Sequence, residues 1–346
     1  MKRLILLGVL GVLAISSSAA LSQVVPNYDF DWATIGDPGN RAYPGDEFGQ
    51  LAGRGSVDYE YRIGRTEVTT AQWMEYVNTF STQSDELRNF GTPFAWGAVV
   101  DESYSGPGQR WVLSSSFGDA GRVGVFGITW RQAAEYVNWL DNNKSSDLSA
   151  IQNGAYDTST FATLPDGSFT DQATHNPDAK FWIPTQDEWL KAAHYDPDKD
   201  GPGQGGWWEY SHASDDPPIP GPPGEGETSA GWRTDTLDAL AILLGSYPKA
   251  ASPWGLLDVT GGAQEWIEEI HGDFEFRSLE GTGAGSPFVW LDRAGFTQWE
   301  RPAFLALLGG LRVVSVVPSP GSSALGLLVY ALIVFRRKRK AGGSTP

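Results

Sequence analysis

The chain has 346 residues, 40% of them hydrophobic and 15 of them Trp, enough to bury a sizeable core in one large domain or two ordinary ones. Its 25 basic and 42 acidic residues leave a formal charge of −17, which argues against nucleic acid as a partner, since that needs a basic face. There is no cysteine, so disulfides, zinc–thiolate sites and thiol nucleophiles are excluded, and the four histidines (His175, His194, His212 and His271) show no metal-ligand spacing.

Residues 1–22 read as an export signal: Lys2 and Arg3 start it, an apolar run spans 4–15, and small residues around Ala20 suit cleavage. Residues 23–54 are polar and punctuated by Gly and Pro, and read as an extended lead-in. Tyr59, Tyr61 and Ile63 alternate with Asp58, Glu60 and Arg62, the pattern of a half-buried strand. Three helices follow, each announced by a capping-box pair. Thr69 and Gln72 precede an apolar stripe of Trp73, Val77 and Phe80. Thr129 and Gln132 precede Ala133, Val137 and Leu140, and Thr185 and Glu188 precede Trp189, Ala192 and Ala193. All three stripes read as core.

Residues 196–201, with Asp196, Asp198, Asp200 and Gly201, fit the first half of a calcium-binding EF-hand loop. The twelfth position is Trp207 instead of Glu, and Pro202 breaks the register. Residues 215–227 form a Pro/Gly/acid-rich loop, and no internal repeat is evident.

Residues 253–266 combine turn glycines, two acids and flanking indoles. Gly255, Gly261 and Gly262 allow a tight turn that aims carbonyls inward, and Asp258 and Glu265 add hard oxygens. An oxygen-only set suits calcium better than zinc or copper; a glycine loop with two solvated acids is the alternative. Beyond it, Val317-Pro318-Ser319-Pro320 precedes an apolar run over 322–335 and a basic cluster over 336–340. This order predicts a membrane-anchoring tail over 317–340, basic end cytoplasmic, with 341–346 a disordered terminus.

Gly255-Leu256-Leu257-Asp258-Val259-Thr260-Gly261-Gly262-Ala263-Gln264-Glu265-Trp266 resembles the G-L-Y-D-M-x-G-N-V-W-E-W signature of the formylglycine-generating enzyme family, the sulfatase-modifying factors. Four more blocks agree in order: Thr66-Glu67-Val68-Thr69 with the strand before it, Gly127-Ile128-Thr129-Trp130, Ile183-Pro184-Thr185 through Trp189, and Gly310-Leu311-Arg312-Val313. The resemblance spans 55–316 and implies an α+β fold, a variant of the C-type-lectin fold with little regular secondary structure. It also implies a calcium held by the side chains of Asp258 and Glu265 and the carbonyls of Gly261 and Ala263. Gly262 and Gln264 depart from the signature's Asn and first Trp. A second family calcium would draw on the loop holding Ser229, Ala230 and Asp235.

Members of the family oxidise a client sulfatase cysteine to formylglycine with a copper-binding cysteine pair. That pair lies three and eight positions after a G-G-S turn. With Gly285-Ser286 as the turn, those positions hold Val289 and Ala294, and no cysteine exists anywhere to replace them. No copper is therefore expected. The tail resembles bacterial PEP-CTERM sorting tails, with Ser319 in place of Glu, which implies an exosortase-type processing partner. The sequence thus suggests an exported, calcium-stabilised recognition domain for an extracellular protein or polysaccharide. Two alternatives stand: an enzyme of different chemistry using Asp273, Glu275, Arg277 and Asp292, and a lectin-like binder that would stack sugars on Trp207, Trp208 and Trp232 if they were exposed, although core packing is the favoured reading of these indoles.

Overall fold

The computed structural model describes residues 25–47, 49–234 and 237–318. The expected signal (1–22) and the tail from 319 onward lie outside the described residues. Among those described, no helix is long and apolar enough to cross a membrane.

Residues 26–317 form one compact unit. Strand β1 (Trp32–Ile35) lies in the lead-in and pairs antiparallel with β2 (Tyr61–Gly64). The lead-in is therefore a working edge of the fold. Helix α1 (Thr70–Ser81) and the hairpin β3 (Ala98–Val100) and β4 (Trp111–Leu113) follow. Then come α2 (Trp130–Asp141), the short α3 (Ser149–Gln152), β5 (Phe181–Trp182) and α4 (Gln186–His194). Strands β6 (Tyr195–Asp196) and β7 (Gly206–Trp207) pair with each other. The last third holds β8 (Gln264–His271), β9 (Phe276–Glu280), β10 (Gln298–Glu300), β11 (Gly309–Gly310) and β12 (Val314–Val316).

Two four-stranded sheets result, in the orders β1-β2-β12-β5 and β10-β9-β8-β11. The closing strand β12 inserts beside β2, so the two ends of the unit share one sheet. That placement corrects one expectation. The 59–63 segment alternates in sequence, yet β2 has neighbours on both edges and every one of its residues is buried. Arg62 is covered too: its Nε donates to the Val316 carbonyl and its guanidinium lies 4.8 Å from the Trp32 ring centre. Tyr59, before the strand, is 47% exposed.

All three predicted helices start where their capping boxes stand. Thr69, Thr129 and Thr185 accept from the backbone of Gln72, Gln132 and Glu188, whose side chains return the bond. Each such cap is worth about 1 kcal/mol. The stripes then meet in the core: Trp73 of α1 stacks on Tyr136 of α2 at 4.9 Å and 22°, with Tyr76, Phe80 and Trp139 packed around them. Aromatic pairs of this kind add roughly 0.5–1.5 kcal/mol beyond burial itself.

Candidate functional site: a buried charge cluster at the glycine turn

The turn ahead of β8 is bent by residues in left-handed backbone. Gly261 has φ +88° and Asp258, unusually for a side-chain-bearing residue, +56°. Gly262 is required for a different reason. A Cβ there would lie 2.0 Å from Glu67 Oε1 and 2.8 Å from the Asp258 carbonyl, so a side chain would evict the Glu67 carboxylate. The departure from the signature at 262 thus makes room for a buried acid.

Four of the recognised sequence blocks converge here. Glu67 precedes α1, and its Oε1 accepts from Ala263 N at 2.7 Å. Trp189 on α4 donates Nε1 to Glu265 Oε2 at 2.6 Å. Strand β11 runs parallel to Gln264 and Glu265, which brings Arg312 alongside. Arg312 Nε lies 2.9 Å from both Glu265 oxygens, and Nη2 lies 2.6 Å from Oε1. The remaining guanidinium bonds reach the carbonyls of Gly64 and Leu257, both at 2.9 Å. Both side chains of the pair are fully buried.

The charges do not balance on side chains alone. Glu67, Asp258 and Glu265 face the single buried guanidinium of Arg312, with Arg122 a further influence on Asp258. Burial pushes the Asp258 carboxyl up to about 6, against a 2.6 Å hydrogen bond from Gly245 N and the attraction of Arg312. Burial holds Glu67 well above the usual carboxylate range, and the neighbouring charges of Asp258 and Glu265 add to the effect while Arg312 opposes it. Burial disfavours the Arg312 charge, but the Glu265 carboxylate outweighs it and the pKa is raised. Glu67 Oε2 is buried without a partner. The cluster therefore accommodates protons or a further cation.

The structure brings Asp258 and Glu265 into one cluster through Arg312. The Gly261 carbonyl accepts from Ser229 Oγ, while Ala263 offers its N–H to Glu67. The donor chemistry fits calcium: carboxylates, carbonyls and an orphaned buried oxygen beside excess negative charge. Glu265, however, is shared with Arg312 and Trp189. No group of three or more His, Cys, Asp or Glu side chains among the described residues is placed to hold a metal. Any ion here relies on two carboxylates supplemented by carbonyls. Of the second-site residues, Ser229 is engaged with Gly261, Ala230 donates its N–H to Thr228 Oγ1 at 3.0 Å, and Asp235 lies outside the described residues.

Other expected site residues separate. Val289 lies in a single-turn helix, and Ala294 packs with Tyr43, Leu51, Leu190, Tyr195 and Trp207. Asp273 is exposed and Glu275 half-buried in the β8–β9 turn. Arg277 is structural: it donates to the carbonyls of Gln172 and Ala173 and lies 3.8 Å from the Trp130 ring centre. Asp292 is buried among hydroxyls, accepting from Thr282 Oγ1 at 2.7 Å and from Thr260 Oγ1, and burial raises it to about 7.

Core packing, the favoured reading of the three indoles, holds for Trp207. It is 9% exposed, wedged between Tyr43 and Tyr195, with Nε1 donating to the Arg41 carbonyl. Trp208 and Trp232 are half-buried, each with a cation on its face, Lys199 at 4.1 Å and Arg233 at 4.7 Å. In the 196–201 loop the acids serve the protein itself. Asp196 Oδ1 and Asp198 Oδ1 accept from backbone N–H groups, and Asp200 pairs with Arg41.

In the sequence Glu67 and Arg312 stand out only as members of blocks that mark the fold, and Trp189 also as part of the α4 apolar stripe. Their shared destination is set by strand pairing across the chain.

The family description "Sulfatase-modifying factor enzyme 1-like domain" matches residues 38–316. No curated protein matches the chain. Among solved structures, variable protein 1 of Treponema denticola is similar at 16% identity with a TM-score of 0.51, covering 83% of this chain and 95% of its own. A structure titled CarF is similar at 18% identity with a TM-score of 0.49, covering 85% of this chain and 100% of its own. At 16% identity the likeness to the Treponema protein speaks to fold alone.

Proposed function

This chain belongs to the sulfatase-modifying factor enzyme 1-like family, and from that premise we propose that it is an exported recognition domain that does not generate formylglycine. The observation that carries this reading is the absence of cysteine from all 346 residues. Copper-dependent oxidation of the family type needs a soft thiolate pair, and no other side chain substitutes well.

On this reading the glycine turn is a stabilising centre. Calcium would be held there by the carboxylates of Asp258 and Glu265 and the carbonyls of Gly261 and Ala263. When bound, the ion supplies the positive charge that protons on Asp258 and Glu67 otherwise provide. Arg312 keeps Glu265 oriented and shares its charge. The N-terminal segment directs export. The tail anchors the protein in the membrane until an exosortase-type enzyme processes it, and the folded unit faces an extracellular protein or polysaccharide. A lectin-like mode loses the support of Trp207, which is packed in the core.

The test is co-expression with a sulfatase peptide carrying the target cysteine, followed by mass spectrometry. The reading expects the thiol to survive intact. A peptide whose thiol is replaced by an aldehyde would overturn it.

A further inference from the structure

A second polar centre lies further along β8, at Glu268. A cavity of about 350 Å³ opens there, lined by Arg54, Thr174, Gln186, Asp187, Glu268 and Glu269 among others. That volume suits a small ligand or a single long side chain. Glu268 is 4% exposed, and its two oxygens differ sharply. Oε1 accepts from His175 N at 2.8 Å, meets His175 Nδ1 at 2.8 Å, and takes the Tyr156 hydroxyl. Oε2 is buried and has no partner.

No hydrogen-bond donor reaches this oxygen, although His175 pairs with Oε1 and Arg277 bonds the backbone carbonyl of the same residue. Arg54 is committed to the other two acids of the wall, with Nε 2.9 Å from Asp187 Oδ1 and Nη2 2.7 Å from Glu269 Oε2. Asp187 Oδ1 also accepts from Gly55 N at 2.7 Å. His175 is held flat on Trp182 at 4.6 Å and 16°, so its ring is fixed as a partner of Oε1. The Glu268 backbone carbonyl accepts from Arg277, which also bonds the carbonyls of residues 172 and 173 and so fixes the opposite wall. Asp187, Glu268 and Glu269 face Arg54 around the cavity, with His175 and Arg277 bonded to Glu268, and the acceptor still unfilled, Glu268 Oε2, calls for a charged group that donates N–H bonds.

We propose that this cavity binds an alkylammonium group, with Glu268 Oε2 accepting from the nitrogen. Two sources carry that chemistry, a lysine side chain and an amino sugar. The site stands independently of the calcium reading, because none of its polar contacts involves Asp258, Glu265 or Arg312.

The experiment is calorimetric titration of the folded protein with n-butylammonium, Nα-acetyl-lysine methylamide and glucosamine. Tetramethylammonium, which has the charge but no N–H, and N-acetylglucosamine, which has the sugar but no ammonium, serve as controls. The proposal expects saturable binding of n-butylammonium and at least tenfold weaker binding of tetramethylammonium. Tighter binding of the lysine derivative than of glucosamine identifies a protein source, and the reverse a polysaccharide source. Glu268→Gln should weaken n-butylammonium at least tenfold. Thr174→Trp, at the exposed rim, should abolish binding without touching the Glu268 contacts, which covers the case in which the Gln variant folds poorly. Absence of saturable binding, equal binding of tetramethylammonium, or n-butylammonium affinity unchanged in Thr174→Trp would overturn the proposal. An oxygen satisfied only by water would give the first of these results.

Discussion

Replacing Arg312 with Met is the severest test of the buried cluster. Met fills much of the volume of the aliphatic stem and removes the charge. Glu265 would lose all three contacts to the guanidinium, keeping Trp189 Nε1, and the carbonyls of Gly64 and Leu257 would each lose a donor. Breaking one side of a buried ion pair costs about 3–5 kcal/mol, and each stranded acceptor adds roughly 1–3 kcal/mol before relaxation. Relaxation around the lost side chain would recover some of this, so a net loss of about 4 kcal/mol is expected. That is a large share of a typical total of about 5–15 kcal/mol. Urea unfolding in chelator, followed by tryptophan fluorescence, measures it. Glu265→Gln alone should cost less, because the glutamine oxygen can still accept from Arg312 and Asp258 and Glu67 can release protons to balance its charge. The double variant should be more stable than the sum of the two losses predicts. A loss below about 1 kcal/mol for Arg312→Met, outside the range for a broken buried pair, would refute the idea that this pair organises the turn.

Other outcomes follow from the same structure. Burial holds Glu280 at about 8 and both Asp292 and Glu135 at about 7, above their ordinary values of 4.5, 3.8 and 4.5. The folded state binds these protons more tightly than the unfolded chain, so their contribution is complete at low pH and declines as pH rises through the folded values. His194, lowered to about 3 by burial, works in the opposite sense below its ordinary 6.5 but is one group against three. Urea midpoints should therefore fall from pH 5.5 to pH 8.5, and a rising midpoint would contradict the burial of these acids. Thr185→Ala should cost about 1 kcal/mol by unmaking the α4 capping box, and an unchanged urea midpoint would count against that cap. Deleting residues 322–340 should release the protein from the membrane fraction, and retention there would refute the anchoring tail.

What the sequence disclosed was local. A capping box needs only residues three apart, and all three predicted helices begin at their Thr caps. The glycine turn was equally visible, because positive-φ positions favour particular residue types at single sites. The partners of Glu265 were not visible. Arg312 lies 47 residues away, and it arrives only because β11 runs parallel to β8. Glu67 joins through a bond to Ala263 that spans 196 residues. What covers Trp207 was hidden for the same reason: Tyr43 reaches it from a distant segment. The β2 alternation misled because alternation assumes a solvated face, and Arg62, on the face expected to be solvated, is covered by the Trp32 ring and bonded to the Val316 carbonyl.

The central claim is that the glycine turn is a cation-stabilised structural centre, and melting curves test it most directly. An ion that binds only the folded state stabilises by RT ln(1 + [Ca]/Kd), about 2.7 kcal/mol at a hundredfold excess over Kd. The wild type should melt higher in millimolar calcium than in chelator, with magnesium a poor substitute because it demands stricter octahedral geometry. Glu265→Gln should remove most of that difference. Superimposable wild-type curves in calcium and in chelator would contradict the account and leave the turn held by Arg312 and buried protons alone.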